Sequence, residues 1–201
     1  MMYLKDLTKN MFADTLVEML KEMPLDKVRV RKLCERCGTT SPTFYYYFRD
    51  KYELVVWIFL QDVSDAYNGL ISDSEKKGMD QVISHVKERK TFYQKAFTDQ
   101  SQNSLGEYIQ AFIIRYFMEA MLHSTGESPT EDQILMIKYH IYGIMGMFRE
   151  WLFEQDLSFE KKYMQLFDRA PDYLKRAFAV YPLTSEVILR FLDMPRSTSA
   201  Q

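Results

Sequence analysis

Glycine and proline are scarce in this chain, seven and six among 201 residues. An all-β fold, which needs a turn every few residues, is excluded on that ground. Two cysteines allow one pair at most, so no disulfide framework is available. No uncharged apolar stretch reaches the roughly 18 residues of a membrane span. The sequence also opens without a basic segment followed by an apolar run. Net charge is only −2, so no sign dominates. No HExxH, no GxSxG and no phosphate-cradling glycine loop occurs. His85, His123 and His140 stand far apart, and no second cysteine pair joins Cys34 and Cys37 to complete a zinc site. The expectation is a cytoplasmic protein that is not an enzyme, with no catalytic residue, no metal, no cofactor and no membrane partner.

What is present is apolar bulk. The chain is 47% hydrophobic, with fourteen Phe, fourteen Tyr and thirteen Met, enough for a substantial core. Residues 3–23 place Leu4, Leu7, Met11, Phe12, Leu16, Met19, Leu20 and Met23 at the three-and-four spacing of one amphipathic helix. Pro24 and Asp26 end it. A short helix is expected from about Arg29 to Glu35, and a turn at Gly38. A third helix should start in Thr39-Thr40-Ser41-Pro42, with a hydroxyl as cap, and end near Phe48. Asp50 is placed to cap a fourth helix from Lys51 to about Leu70. The polar stretch Ser72–Gly78 reads as a boundary. Further helices are expected near 79–88, 89–98, 102–124, 129–154, 158–168, 171–180 and 184–193. The class is all-α.

Charge is uneven along this frame. Between Lys27 and Lys51 seven basic residues face two acidic ones, a net of +5, so the remainder carries −7. Phosphate attraction is screened within about 10 Å, so a local basic module on an acidic body suits a DNA-facing end. Two short helices joined at Gly38 fit a helix-turn-helix. Val30, Leu33, Cys34, Cys37, Phe44 and Phe48 are expected inward, with the cysteines as packing. Thr39, Thr40, Ser41, Thr43, Tyr45 and Tyr47 are expected outward, where short hydroxyls and phenols can reach bases and phosphates.

The run from Val30 to Leu54, above all the aromatic cluster ending in Phe48 with Lys51 and Glu53-Leu54 behind it, resembles the signature of the TetR family of regulators. That resemblance covers about residues 5–60. It implies that Thr40, Ser41 and Thr43 meet bases or phosphates, that Tyr45 and Tyr47 meet backbone and neighbouring bases, and that Arg31 and Lys51 touch phosphate. The sequence departs from the family at Arg29, where a hydroxyl is usual, at Pro42, where glycine is common, and at Tyr47, which replaces a frequent histidine. Those departures keep a second reading open, a helical adaptor that keeps the fold and works through protein contacts.

Residues 1–50 are read as the helix-turn-helix domain, 51–195 as a helical regulatory and dimerisation domain, and 196–201 as a flexible tail. The stretch from Tyr142 to Trp151 is similar to TetR relatives of the DhaS type. One recognition helix gives too little contact, so a homodimer reading a palindrome in double-stranded DNA is expected. Residues 141–153 are apolar almost all round, and Ile144, Met147, Phe148, Trp151 and Leu152 are placed at the dimer interface, with Gly143 and Gly146 permitting close approach. The resemblance adds the helix near 158–168 to that interface. The aromatic content of 89–153, which also includes Phe92, Tyr93 and Met118, motivates a pocket for a small-molecule effector at Phe97, Phe112, Tyr116, Phe117, Tyr142 and Met145. A partner protein is the alternative effector.

Overall fold

In the computed structural model residues 4–67, 75–99, 104–154, 165, 166 and 169–190 are described. Among them every regular element is helical. The order is α1 (Leu4–Glu22), a 3-10 turn (Leu25–Lys27), α2 (Val30–Arg36), α3 (Ser41–Tyr47), α4 (Lys51–Tyr67), α5 (Glu75–Glu88), α6 (Lys90–Thr98), α7 (Leu105–Thr125), α8 (Glu131–Glu154), α9 (Asp172–Val180) and α10 (Ser185–Arg190). Among the described residues no helix is long and apolar enough to cross a membrane. The helix expected near 158–168 lies outside the described residues except for positions 165 and 166.

One boundary and one burial differ from expectation. The polar stretch to Gly78 is not all linker, because α5 already begins at Glu75. The cause is packing: an added Cβ at Gly78 would come within 2.6 Å of the Tyr67 ring, so the start of α5 lies directly against the end of α4. Leu7, expected inward on α1, is 48% exposed.

The amino-terminal bundle closes around rings. Phe12 of α1 is fully buried and meets Phe44 edge-on at 5.2 Å and Phe48 at 6.4 Å. Phe48 in turn meets Trp57 of α4 at 6.0 Å. Edge-to-face geometry suits the ring quadrupoles and adds to the area buried. At the rim Arg36 of α2 grips Glu22 of α1 through both guanidinium nitrogens, one of them at 2.9 Å, and this holds the Glu22 carboxyl below its ordinary range.

α4 is the strut between bundle and body. It packs on α1, α5, α7 and α10, and its residues Leu54 to Leu60 are all buried. Its one buried carboxylate, Asp62, accepts from Arg89 Nη1 at 2.7 Å and from the Tyr93 hydroxyl at 2.6 Å. Arg89 stands at the break between α5 and α6, so this cluster ties the strut to that corner. Burial outweighs both partners and pushes the Asp62 carboxyl above its ordinary value. The body itself pairs α7 with α8 and α9. Gln94 of α6 donates to the Leu152 carbonyl at 2.8 Å, and the Tyr116 hydroxyl donates to the Tyr181 carbonyl at 2.6 Å.

Two predictions follow from this packing. Gly78→Ala should lower stability by about 1–3 kcal/mol in urea unfolding, because the buried Tyr67 ring must shift; an unchanged midpoint would mean the contact is loose. Asp62→Asn should cost about 1–3 kcal/mol near neutral pH by weakening the charge-assisted bonds. A raised carboxyl pKa means that the folded chain takes up the proton more readily than the unfolded one. Acidification from neutral to below about pH 4 should therefore move the stability difference in favour of the wild type. A difference that moves steadily the other way contradicts the assignment.

Candidate nucleic-acid interface

The turn between α2 and α3 is built by Gly38. Its φ of +64° lies in the left-handed region, and an added Cβ there would meet nothing within 4 Å, so conformation and not space demands the glycine. The Gly38 amide donates to the Glu35 carbonyl at 3.2 Å and the Thr39 amide to the Cys34 carbonyl at 2.9 Å. This paired closure ends α2 and turns the chain at once into α3.

α3 then divides into two faces. Phe44 and Phe48 are buried, as expected. Outward stand Thr40, Pro42, Tyr45 and Tyr46, while Thr39, Ser41, Thr43 and Tyr47 are half-buried. Tyr46 is 69% exposed, more than Tyr45 at 57%, and the sequence reading passed over it. The missed signal was simple: two residues after the inward Phe44 and two before the inward Phe48, position 46 must lie opposite both. Tyr47 instead packs partly on the core and against the Tyr46 ring at 4.9 Å.

The caps differ in part from expectation. Thr40 stands at the N-cap of α3 but makes no bond to an amide. Its hydroxyl is 3.0 Å from that of Thr43, so one of the two donates to the other. Arg29, at the N-cap of α2, provides no side-chain cap either. Pro42 sits in the first turn of α3, where its missing donor breaks no helical bond. Asp50 does cap α4, accepting from the Glu53 amide at 2.8 Å, and the Glu53 carboxylate accepts in return from the Arg49 amide.

Lys51 is the clearest departure. Expected at phosphate, its ammonium turns inward and donates to the carbonyls of Leu25 at 2.7 Å, Val28 at 3.0 Å and Asp26 at 3.1 Å. An ammonium has three protons, and all three are used. Lys51 thus pins the 3-10 turn to the start of α4. Arg31, by contrast, is almost fully exposed and holds only Glu35, at 2.9 Å, a surface pair that a phosphate can replace at little cost. Lys27, Arg29 and Lys32 are exposed beside it. Cys34 is buried and Cys37 half-buried, both as free thiols. Cys37 Sγ lies 3.2 Å from the Thr15 hydroxyl, and burial raises both thiol pKa values, which suits packing better than redox chemistry. Among the described residues no three His, Cys, Asp or Glu side chains come together as a metal site.

The residues expected in an effector pocket fare unevenly. Phe97, Phe112, Tyr116, Phe117 and Met145 are buried, and the four rings pack against other rings: Phe97 meets Phe148, Phe112 meets Phe59, and Tyr116 meets Phe117, Phe178 and Tyr181. Tyr142 is 51% exposed and points away from that interior. A cleft of about 490 Å³ lies elsewhere, between Asp14, Val17, Glu18 and Lys21 of α1 and the α5–α6 corner from Lys87 to Phe92.

The expected dimer residues are also placed unevenly. Trp151 and Leu152 are buried within the chain, and Ile144, Met147 and Phe148 are half-buried against its core. The outward face of α8 carries Leu135, Tyr139, Tyr142, Gly146 and Phe153, spaced by four, three, four and seven, with Gly143 beside them. The inward face carries Ile137, Ile141, Met145 and Leu152. The sequence showed that the helix was apolar all round and could not show which side its own chain covers.

Comparison with known proteins agrees with this architecture. Residues 13–57 match the profile described as bacterial regulatory proteins, tetR family, and residues 73–168 match that of a transcriptional regulator C-terminal region of the same family. No curated protein matches the chain. Among solved structures, the dihydroxyacetone kinase operon activator DhaS is similar in fold, with a TM-score of 0.58 at 18% identity over 84% of this chain and 96% of that one. A tetR-family transcriptional regulator from Streptomyces coelicolor gives a TM-score of 0.54 at 15% identity, covering 94% of this chain and 90% of its own. The two profiles between them cover well over half of the sequence, and the chain belongs to the TetR family, whose members regulate transcription by binding DNA and are not enzymes.

Proposed function

We propose that the protein is a homodimer that reads a palindromic operator with the outward face of α3. The observation that carries this is the division of α3, which buries Phe44 and Phe48 and turns Thr40, Pro42, Tyr45 and Tyr46 outward beside the exposed cations of α2. In this reading residues 1–50 are the reading head and 51–195 the regulatory and dimerisation body, with α4 as the strut that belongs to both. Thr39, Thr40, Ser41, Thr43, Tyr45 and Tyr47 contribute to the DNA surface with Tyr46 added. Arg31 holds phosphate, and Lys51 acts by fixing the turn.

Two heads must sit about one DNA turn, roughly 35 Å, apart. The exposed stripe on α8 supplies the means. Gly143 and Gly146 have nothing within 4 Å of an added Cβ, so a second copy of the helix can approach closely there. An effector, either a small molecule or a partner protein, that favours one spacing of the heads changes DNA affinity by that preference. The cleft between α1 and the α5–α6 corner is a place where one ligand would touch head and body together.

Salt dependence separates the roles of the cations. Arg31→Met should reduce the slope of log affinity against log salt by about one unit per protomer. Lys51→Met should leave that slope unchanged while lowering stability by about 1–2 kcal/mol through three orphaned carbonyls. A slope lowered by Lys51→Met would put its ammonium on phosphate instead. For the dimer, Tyr139→Glu and Gly146→Glu should give monomers in sedimentation without a loss of helix content. Retained dimers in both variants would remove α8 from the interface.

A further inference from the structure

Between Thr39 and Phe48 the chain holds no Arg, Lys, Asn, Gln, Asp or Glu. Guanine and adenine are distinguished in the major groove by paired hydrogen bonds, from Arg or Lys to guanine and from Asn or Gln to adenine. α3 has none of the side chains that make them. Its short hydroxyls can bond a base edge but cannot form the paired, bidentate contacts. Those of Thr40 and Thr43 lie 3.0 Å apart, so one of the two protons is spent between them.

The basic residues that flank α3 in sequence lie outside the helix, and each has a partner in the chain. Arg36 is held by Glu22, Arg49 by Glu53, and Lys51 by three carbonyls. Apart from these hydroxyls and the phenols of Tyr45 and Tyr46, what α3 presents is carbon: the Pro42 ring and the two tyrosine rings. The apolar feature that the major groove offers in return is the thymine 5-methyl group.

Building on the DNA-reading function proposed above, we infer that α3 selects its half-site through thymine 5-methyl groups packed against Pro42, Tyr45 and Tyr46, and not through guanine or adenine edges. The cations of α2 then supply affinity without sequence. Pro42 gains a role here. In place of a flexible glycine it provides a rigid apolar surface in the first turn of the reading helix, and Tyr46 provides the most exposed ring on the same short element.

The test begins by selecting duplexes from a random library with the full-length protein. In the retained operator each thymine is replaced singly by deoxyuridine, which deletes only the methyl group. Each guanine or adenine is replaced by its 7-deaza analogue, which deletes the N7 acceptor. At least one deoxyuridine per half-site should weaken binding about fourfold, the value of one buried methyl, while the 7-deaza purines should change it by less than about twofold. Pro42→Ala or Tyr46→Ala should abolish the deoxyuridine effect at one position, and Tyr46→Phe, which keeps the ring, should preserve it. Both alanine changes fall at exposed positions, so folding is not at stake. A tenfold loss with a 7-deaza purine and none with deoxyuridine would overturn the inference and move base reading to Arg31 or Lys32, leaving the DNA-binding function intact. Retention of no duplex at all would instead overturn that function.

Discussion

The contact of Phe12 with the rings of Phe44 and Phe48 sets everything on the outer side of α3. A seven-residue helix cannot hold itself in water, because nucleation is unfavourable and so few bonds repay it. It persists here because two of its flanking and central rings are sunk into α1 and α4. The same burial forces the intervening side chains outward. The outward surface of α3 is therefore a by-product of how the aromatic core is spaced, and its chemistry is free to vary without disturbing the core beneath.

Two cations then brace the head in different ways. Lys51 closes the 3-10 turn with three backbone carbonyls, and Arg36 clasps the end of α1 through Glu22. Deeper in, Asp62 joins α4 to the α5–α6 corner through Arg89 and Tyr93. A buried carboxylate is costly to keep charged, and its placement at the junction of strut and body ensures that α4 cannot slide past α6 without exposing or orphaning it. The cleft bordered by that corner and by α1 reaches the fastening from one side, at Arg89.

Much of the fold was legible because it depends on periodicity and punctuation. The spacing along α1, the glycine at 38 and the Asp50 cap all follow from local chemistry and were readable in order. The helix-turn-helix face was legible for the same reason, since Phe44 and Phe48 fix which side is inward. What escaped the sequence depends on tertiary partners. Lys51 looks like a surface cation until three carbonyls from a turn 23 to 26 residues earlier meet it. Trp151 and Tyr142 are both large and aromatic on one helix, and only the packing of α6 and α7 decides that the first is covered and the second bare. Tyr46 was overlooked although its phase was available.

The central claim is that the outward face of α3 is the surface that meets DNA. Backbone and tyrosine-ring NMR shifts, recorded while a duplex chosen by the protein itself is added, test it most directly. The account predicts that the largest changes fall from Thr40 to Tyr47 and at Arg31, with Phe12 and Phe44 little moved. Changes confined to α8 or to the seam between α1 and α6, with the α3 tyrosines undisturbed, would contradict it.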